Sequence, residues 1–210
     1  MLEPTDHKTG IMQKAFELFM QYGMRSVSMD DIANASGMSK KTIYRYFTNK
    51  DDLVIEVVKI VLEKNAHNCE RYNIAAENAI HESFLAIDQT TALFRKMNPL
   101  LIYDLKKYHP RAYKTYSEFK SELFYKVVKA NLERGIREGL YREDLKVDVI
   151  ARFRVESILI PFTPEYYNKV PIGLEEASKE LFYLFLFGIA SAKGSKLIEK
   201  YKKNKNVSYA

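Results

Sequence analysis

Apolar residues recur at helical spacing along almost the whole chain. Ile11, Ala15, Leu18, Phe19 and Tyr22 fall at i, i+4, i+7, i+8 and i+11, the stripe of an amphipathic helix. Gly23 follows, the residue type that most often sits just past a helix end. Ser28-Met29-Asp30-Asp31 has the form of a capping box, in which the Ser28 hydroxyl accepts an orphan backbone N–H and Asp31 reaches back. This predicts a short helix from Met29 to about Ser36, closed by Gly37. Ser39 caps a second short helix running through Tyr46, and Asn49-Lys50-Asp51-Asp52 opens a longer one through about Arg71. Only Gly37 and Met38 separate the two short helices, which is the sequence form of a helix-turn-helix. Ile32, Ala33, Ile43 and Phe47 form the inward set, and the small Ala33 and Ala35 favour close approach of the two helices.

Beyond Ile74 the pattern predicts helices over 75–96, 99–108, 110–138, 146–160 and 174–203. Breaks fall at Asn98-Pro99, His109-Pro110, Gly139 and Pro161 to Pro171. Three prolines within that last stretch predict a loop or broken turn, since proline is excluded from helix interiors. Strict alternation, the mark of a half-buried strand, is found nowhere. The pattern therefore predicts an all-α chain. It carries an N-terminal three-helix helix-turn-helix domain over 1–50 and a larger helical domain over 51–210.

Composition narrows the function classes more than it identifies one. The single cysteine, Cys69, excludes a disulfide framework and any multi-cysteine zinc or iron–sulfur site. His81-Glu82 is followed by Ser-Phe-Leu, so it is not an HExxH site, and His67 and Cys69 do not share a helix face. The expectation is no metal, no cofactor and no catalytic residue, since the sequence has no nucleophile elbow, Walker loop or dinucleotide fingerprint. The polar N-terminus does not read as a secretory signal, and the apolar run Leu181 to Ala192 is too short to span a bilayer. The reading is a cytoplasmic protein with no membrane partner. The net charge of +6 permits a polyanion partner. It is concentrated in the lysine-rich tail from Lys193 to Lys205, read as a solvated helix end, whereas residues 1–50 hold seven basic and five acidic residues. Net charge does not point to DNA; the placement of Ser39, Lys40, Lys41, Arg45 and Lys50 around one short helix does.

Residues 24–50, together with Ile11, Ala15, Leu18, Phe19 and Gly23, closely resemble the N-terminal DNA-binding domain of the TetR family of transcriptional regulators. The matching pieces are Asp31-Ile32-Ala33, Ala35, Gly37, Ser39-Lys40, Thr42-Ile43-Tyr44, Tyr46-Phe47 and Asn49-Lys50. The resemblance is dense over residues 8–55. Beyond that it extends only to size and helix order. It implies that Lys40, Lys41 and Arg45 are candidate base readers and that Ser28, Ser39, Thr42, Tyr44, Tyr46 and Lys50 are candidate backbone contacts. Lys and Arg pair best with guanine O6 and N7, which favours G-containing half-sites. Tyr46 also shares an inward face with Ile43 and Phe47, so core packing is an open alternative for it. Many relatives carry a small residue where this chain has Lys41. Asp30 lies beside the groove, where the dipole of the second helix is a sufficient reason for it.

By the same resemblance the larger domain holds an effector cavity among its middle helices, for an unknown small molecule of aromatic or hydrophobic character. Candidate lining residues are Phe84, Tyr103, Phe119, Leu123 and Phe153, with His81, Arg152 and Glu156 able to orient a ligand. Ordinary core packing is the alternative for the aromatics, and an i,i+4 salt bridge is the alternative for Arg152 and Glu156. The last two long segments are expected to form a homodimer. Ser157 and Ile158 would serve from the first, with Leu181, Leu184, Phe185, Gly188 and Ala192 from the second. Burial within one chain is the alternative. The resulting expectation is a homodimeric repressor that binds a palindromic double-stranded DNA operator and is released by an effector. The rival is an architectural or division-control DNA binder that uses the same domain without one.

Overall fold

A computed structural model describes residues 4–207. The first and last three residues, which the sequence reading also covers, lie outside them. The helices in chain order are α1 (Pro4–Tyr22), α2 (Met29–Ala35), α3 (Lys40–Tyr44), α4 (Lys50–Ala75), α5 (Ala79–Phe94) and α6 (Leu101–Tyr108). They continue as α7 (Pro110–Phe119), α8 (Tyr125–Arg137), α9 (Val147–Ser157), α10 (Pro164–Tyr167), α11 (Leu174–Ile189) and α12 (Ala192–Val207). Among the described residues the β-structure is one isolated antiparallel bridge, Tyr141 with Ala190. The fold is all-α, with an N-terminal helix-turn-helix followed by a larger helical portion.

The chain divides into two packed units. The first takes in the chain up to Asn65, residues 96–119 and 162–169; the second takes in 66–95, 120–161 and the chain from Val170 onward. Packing therefore groups the first turns of α4, together with α6 and α7, with the helix-turn-helix, rather than dividing the chain at residue 50.

In the first unit Ile11, Met12, Ala15, Phe19 and Met20 of α1 meet Ile32 and Ala33 of α2, Ile43 of α3, Phe47, and Leu53, Val54 and Val57 of α4. Leu101, Leu105 and Ala112 complete this core. The buried face of α1 is turned from the expected stripe: Met12 and Met20 lie inside, while Tyr22 is exposed. Ala35 is exposed as well, so the close approach of α2 to its neighbours rests on Ala33. Gly23 ends α1, its N–H donating to the Phe19 carbonyl at 2.9 Å.

The second unit buries Ile80, Phe84 and Ile87 of α5 against Leu132 of α8, Ala151 of α9, Phe182, Leu186 and Ile189 of α11, and Ile198 of α12. Three local expectations are corrected here. The helix read over 110–138 is interrupted by a π-helical turn, Lys120–Phe124. The helix read over 174–203 breaks at Ala190 because the backbone leaves to pair elsewhere. The Arg142 N–H donates to the Ile189 carbonyl at 2.9 Å, and the Ser191 N–H donates to Leu140, also at 2.9 Å. Ser191 then caps α12, accepting from the Gly194 N–H at 3.1 Å. The proline-rich stretch is not wholly a loop. Ile160–Phe162 forms a 3-10 turn, and Pro164 opens α10 at a position where its missing N–H costs nothing.

Candidate nucleic-acid interface

Two local caps define the reading head. The Ser28 hydroxyl accepts from the Asp31 N–H at 3.2 Å, and the Asp31 carboxylate accepts from the Ser28 N–H at 2.8 Å. The Ser28 hydroxyl also donates to the Asp31 carboxylate at 2.7 Å, and this bond, followed by that from the Ser28 N–H, holds the Asp31 carboxyl below its ordinary range. Gly37 takes φ +63°, a left-handed conformation that a side chain would strain, and so turns the chain between α2 and α3. Ser39 then caps α3, its hydroxyl accepting from the Thr42 N–H at 3.1 Å. The helix is only five residues long, and 3-10-type bonds from Arg45 to Thr42 and from Tyr46 to Ile43 close it. The exit to Tyr46 is a tight turn rather than continued α-helix.

This short helix sorts its side chains cleanly. Ile43 and Phe47 are buried, whereas Lys40, Lys41, Tyr44 and Arg45 are exposed, Tyr44 by 44%. The exposed set presents three cations and a phenol on one face. Tyr46 is half-buried and packs against the core, so its ring serves packing. The Ser28, Ser39 and Thr42 hydroxyls are all occupied in the caps, with Ser39 and Thr42 bonded to each other at 2.8 Å.

Two side chains have partners that sequence spacing does not reveal. Lys50, read as a phosphate contact, points inward. Its ammonium donates to the Met24 carbonyl and lies 5.9 Å from the Phe19 ring centre. Burial pushes its pKa down. One of its three donors is committed to the loop before α2, and the side chain is half-buried. Asp30 reaches across the turn to Lys40, the ammonium lying 2.8 Å from one carboxylate oxygen and 3.0 Å from the other. That pair raises the Lys40 pKa. The contact joins residues ten positions apart on different helices, beyond the reach of i,i+4 reasoning.

The eight effector candidates are divided between the two units. Tyr103 and Phe119 belong to the first unit, where the Tyr103 hydroxyl accepts from Lys107 at 3.0 Å. The other six belong to the second. Phe84 is packed among rings, with centroids 5.6 Å from Phe182 and 5.3 Å from Tyr201, and His81 stacks on Tyr201 at 5.3 Å. Arg152 donates to the Ser121 carbonyl and lies 3.9 Å from the Tyr125 ring centre. Glu156 pairs with Lys120 at 2.7 Å rather than with Arg152, the alternative partner at i,i+4 spacing. Leu123 is half-buried in the π-helical turn, and Phe153 is 57% exposed. Sequence spacing did not single out Arg154. Its guanidinium lies 5.0 Å from the Phe185 ring centre and 5.8 Å from Phe182, and has no carboxylate partner among the described residues. Burial pushes its pKa down to about 10.

The dimer candidates are divided. Ser157 is buried, its hydroxyl donating to the Arg154 carbonyl at 3.0 Å, so it serves its own chain. Ile158, Leu181 and Phe185 are half-buried, and Gly188 and Ala192 are exposed. Leu184 is 72% exposed, and on α9 Val149 and Phe153 are also largely exposed. Spacings of three and four residues place Leu181, Leu184, Phe185 and Gly188 on one face of α11. No helix among the described residues is long and apolar enough to cross a membrane.

Residues 11–57 match the sequence profile of the bacterial regulatory proteins of the tetR family. Over nearly its full length the chain is similar to two relatives. One is the uncharacterized HTH-type transcriptional regulator YvaF of Bacillus subtilis, 28% identical over 86% of this chain and 94% of that one. The other is the HTH-type transcriptional repressor KstR2 of Mycolicibacterium smegmatis, 21% identical over 92% of this chain and 96% of that one. In fold it is similar to a putative transcriptional regulator from Saccharomonospora viridis solved in complex with choline. The TM-score is 0.70 at 16% identity, covering 89% of this chain and 99% of that one. The capped helix-turn-helix and the family profile over it agree, and along nearly all of its length the chain is similar to HTH-type transcriptional regulators.

Proposed function

We propose that the protein acts in the cytoplasm as a homodimeric repressor, two copies of α3 entering successive major grooves of a palindromic operator. The observation that carries this reading is the sorting of α3, with Ile43 buried and Lys40, Lys41, Tyr44 and Arg45 exposed around its capped start. A recognition helix needs that division, because its first turn must approach base edges while its other face holds the domain. Lys41 and Arg45 serve as base or phosphate contacts, and Tyr44 as a phosphate contact. The exposed apolar residues Val149 and Phe153 of α9 and Leu184 of α11 support dimerisation through these helices, since large apolar side chains in water favour burial in an interface. KstR2 is named a repressor, which favours that mode of action here.

Release by a small molecule completes the reading. The Saccharomonospora viridis regulator was solved with choline bound. In this chain Arg154, unpaired among the described residues and lying over Phe182 and Phe185, suits an apolar effector that carries an anionic group. Helix α4 contributes residues to both units, so a shift in the second can pass to the reader along one continuous helix. A second reading, a DNA-binding regulator without an effector, is favoured by Phe84, whose surroundings are filled by Phe182, Tyr183 and Tyr201.

Fluorescence anisotropy with labelled DNA from upstream of the protein's own gene tests the core of the reading. Salt-sensitive binding that weakens on Lys41→Ala and Arg45→Ala supports it, and equal binding by wild type and both variants defeats it. Titrating candidate effectors into the complex separates the two readings. A ligand that binds free and DNA-bound protein equally well has no coupling to release.

A further inference from the structure

Asp30 is an unexpected residue for a DNA-facing surface. A carboxylate beside a phosphate backbone opposes the counterion-driven part of binding. The cap of α2 does not require it either, because Ser28 and Asp31 already form the complete capping box. Its side chain is bound instead to the first residue of the recognition helix, both carboxylate oxygens lying within 3.0 Å of the Lys40 ammonium. Both side chains remain more than half exposed, so the pair faces outward as a unit.

An ammonium has three donors. With one directed at Asp30, two remain, and beside them stand the free lone pairs of the carboxylate. The outward face of the pair is therefore donor, donor, acceptor. In the major groove a G·C pair presents the complementary order: acceptor at guanine N7, acceptor at O6, donor at cytosine N4. O6 and N4 are themselves hydrogen-bonded, about 2.9 Å apart, close to the separation of the Lys40 nitrogen and the Asp30 oxygen. An A·T pair alternates acceptor, donor, acceptor, so either Lys40 or Asp30 would face a like group.

We infer that Asp30 and Lys40 read one G·C pair together in each half-site, guanine against Lys40 and cytosine against Asp30, which makes Asp30 a specificity-determining residue. This rests on the DNA-binding reading proposed above. Asp30 limits the use of Lys40 as a general phosphate contact and directs its charge to one base pair.

The test uses the full-length protein and a duplex selected from a random pool. Affinities are measured for wild type, Asp30→Ala, Asp30→Asn and Lys40→Ala. The duplexes carry the natural G·C pair, an A·T pair, or guanine opposite a pyrimidinone that lacks the N4 amino group. Wild type is expected to lose about tenfold in affinity on removal of that amino group, a typical cost for one base-edge contact. Asp30→Ala is expected to lose nothing further on that duplex, Asp30→Asn keeps an accepting amide oxygen and is expected to retain part of the sensitivity, and Lys40→Ala is expected to lose its preference at the same pair. Asp30→Ala should also bind unrelated DNA more tightly, with a salt slope steeper by about one as Lys40 turns to a phosphate. The inference is overturned if Asp30→Ala keeps the wild-type sensitivity to the amino group. It is also overturned if that variant loses only melting temperature, which would leave Asp30 a dipole partner of α2. A wild-type protein that selects no sequence at all defeats the DNA-binding reading first and this inference with it. A wild-type protein indifferent to the amino group overturns it as well, and that result does not depend on the variants folding.

Discussion

At the scale of single residues, the side chains around the helix-turn-helix divide into those left exposed and those that hold the turn in shape. Lys50 belongs to the second group. Its bond to the Met24 carbonyl ties α4 to the loop between α1 and α2, and Lys50→Met removes the charged donor while keeping an unbranched side chain. A bond of this kind contributes about 1–3 kcal/mol, so the melting temperature should fall by roughly 2–10 °C. The salt slope of DNA binding should stay unchanged. A flatter slope with unchanged melting would make Lys50 a phosphate contact after all. A second residue reports on the other unit. Glu175 accepts from Arg95 through two bonds of 2.8 Å and from Lys179 at 2.7 Å. The Arg95 bonds contribute most to lowering its pKa from 4.5 to about 2. A carboxyl depressed in the folded state stabilises the fold above its unfolded pKa, and that contribution is lost as pH falls through the folded value. Glu175→Gln should therefore cost at most about 1 kcal/mol at neutral pH. Wild type and variant should converge in thermal melts taken between pH 4.5 and about 2; a gap that stays constant with pH would contradict this account.

At the scale of elements, the sequence is most legible where structure is local. The caps at Ser28 with Asp31, at Ser39 and at Asn49 are each formed by side chains reaching three residues along the chain, so spacing alone reveals them. The Gly37 turn is legible for the same reason. Elements decided by distant partners are not. Residues 174–203 keep an unbroken helical pattern, yet the backbone leaves the helix at Ala190 to pair with Leu140 and Arg142. Tyr22 fits the α1 stripe by spacing, but the end of the helix turns it to solvent. The candidate site divides in the same way. Lys40, Lys41, Tyr44 and Arg45 are exposed as the spacing predicts, whereas the Asp30–Lys40 and Lys50–Met24 contacts need the folded turn. The shortness of α3 has its own consequence. A helix of five residues depends heavily on its cap, so Ser39→Ala should cost about 1 kcal/mol. It should weaken operator binding by loosening the first turn, read as a parallel loss in melting temperature and affinity. Unchanged affinity would show that DNA can order α3 without the cap.

At the scale of the whole molecule, the account joins a reader of minimal size to a larger helical unit that leaves apolar surface in water. Leu184 is 72% exposed on α11, and a Cβ added at Gly188 would meet nothing within 4 Å, so this face is open in the single chain. Pairing of two chains would cover it. Leu184→Glu should convert a dimer to monomer in sedimentation, because burying two unpaired carboxylates across a two-fold contact is costly. Operator affinity should collapse with it, since one reading head alone contacts half a site. A variant that remains dimeric would move the interface to another face.

Selection of bound duplexes from a random-sequence DNA pool by the wild-type protein tests the central claim most directly. The account predicts two inverted half-sites with centres about 10–10.5 base pairs apart, or a multiple of that spacing, matching two recognition helices related by a two-fold axis. Enrichment of a single half-site, of a direct repeat, or of no sequence at all would contradict it.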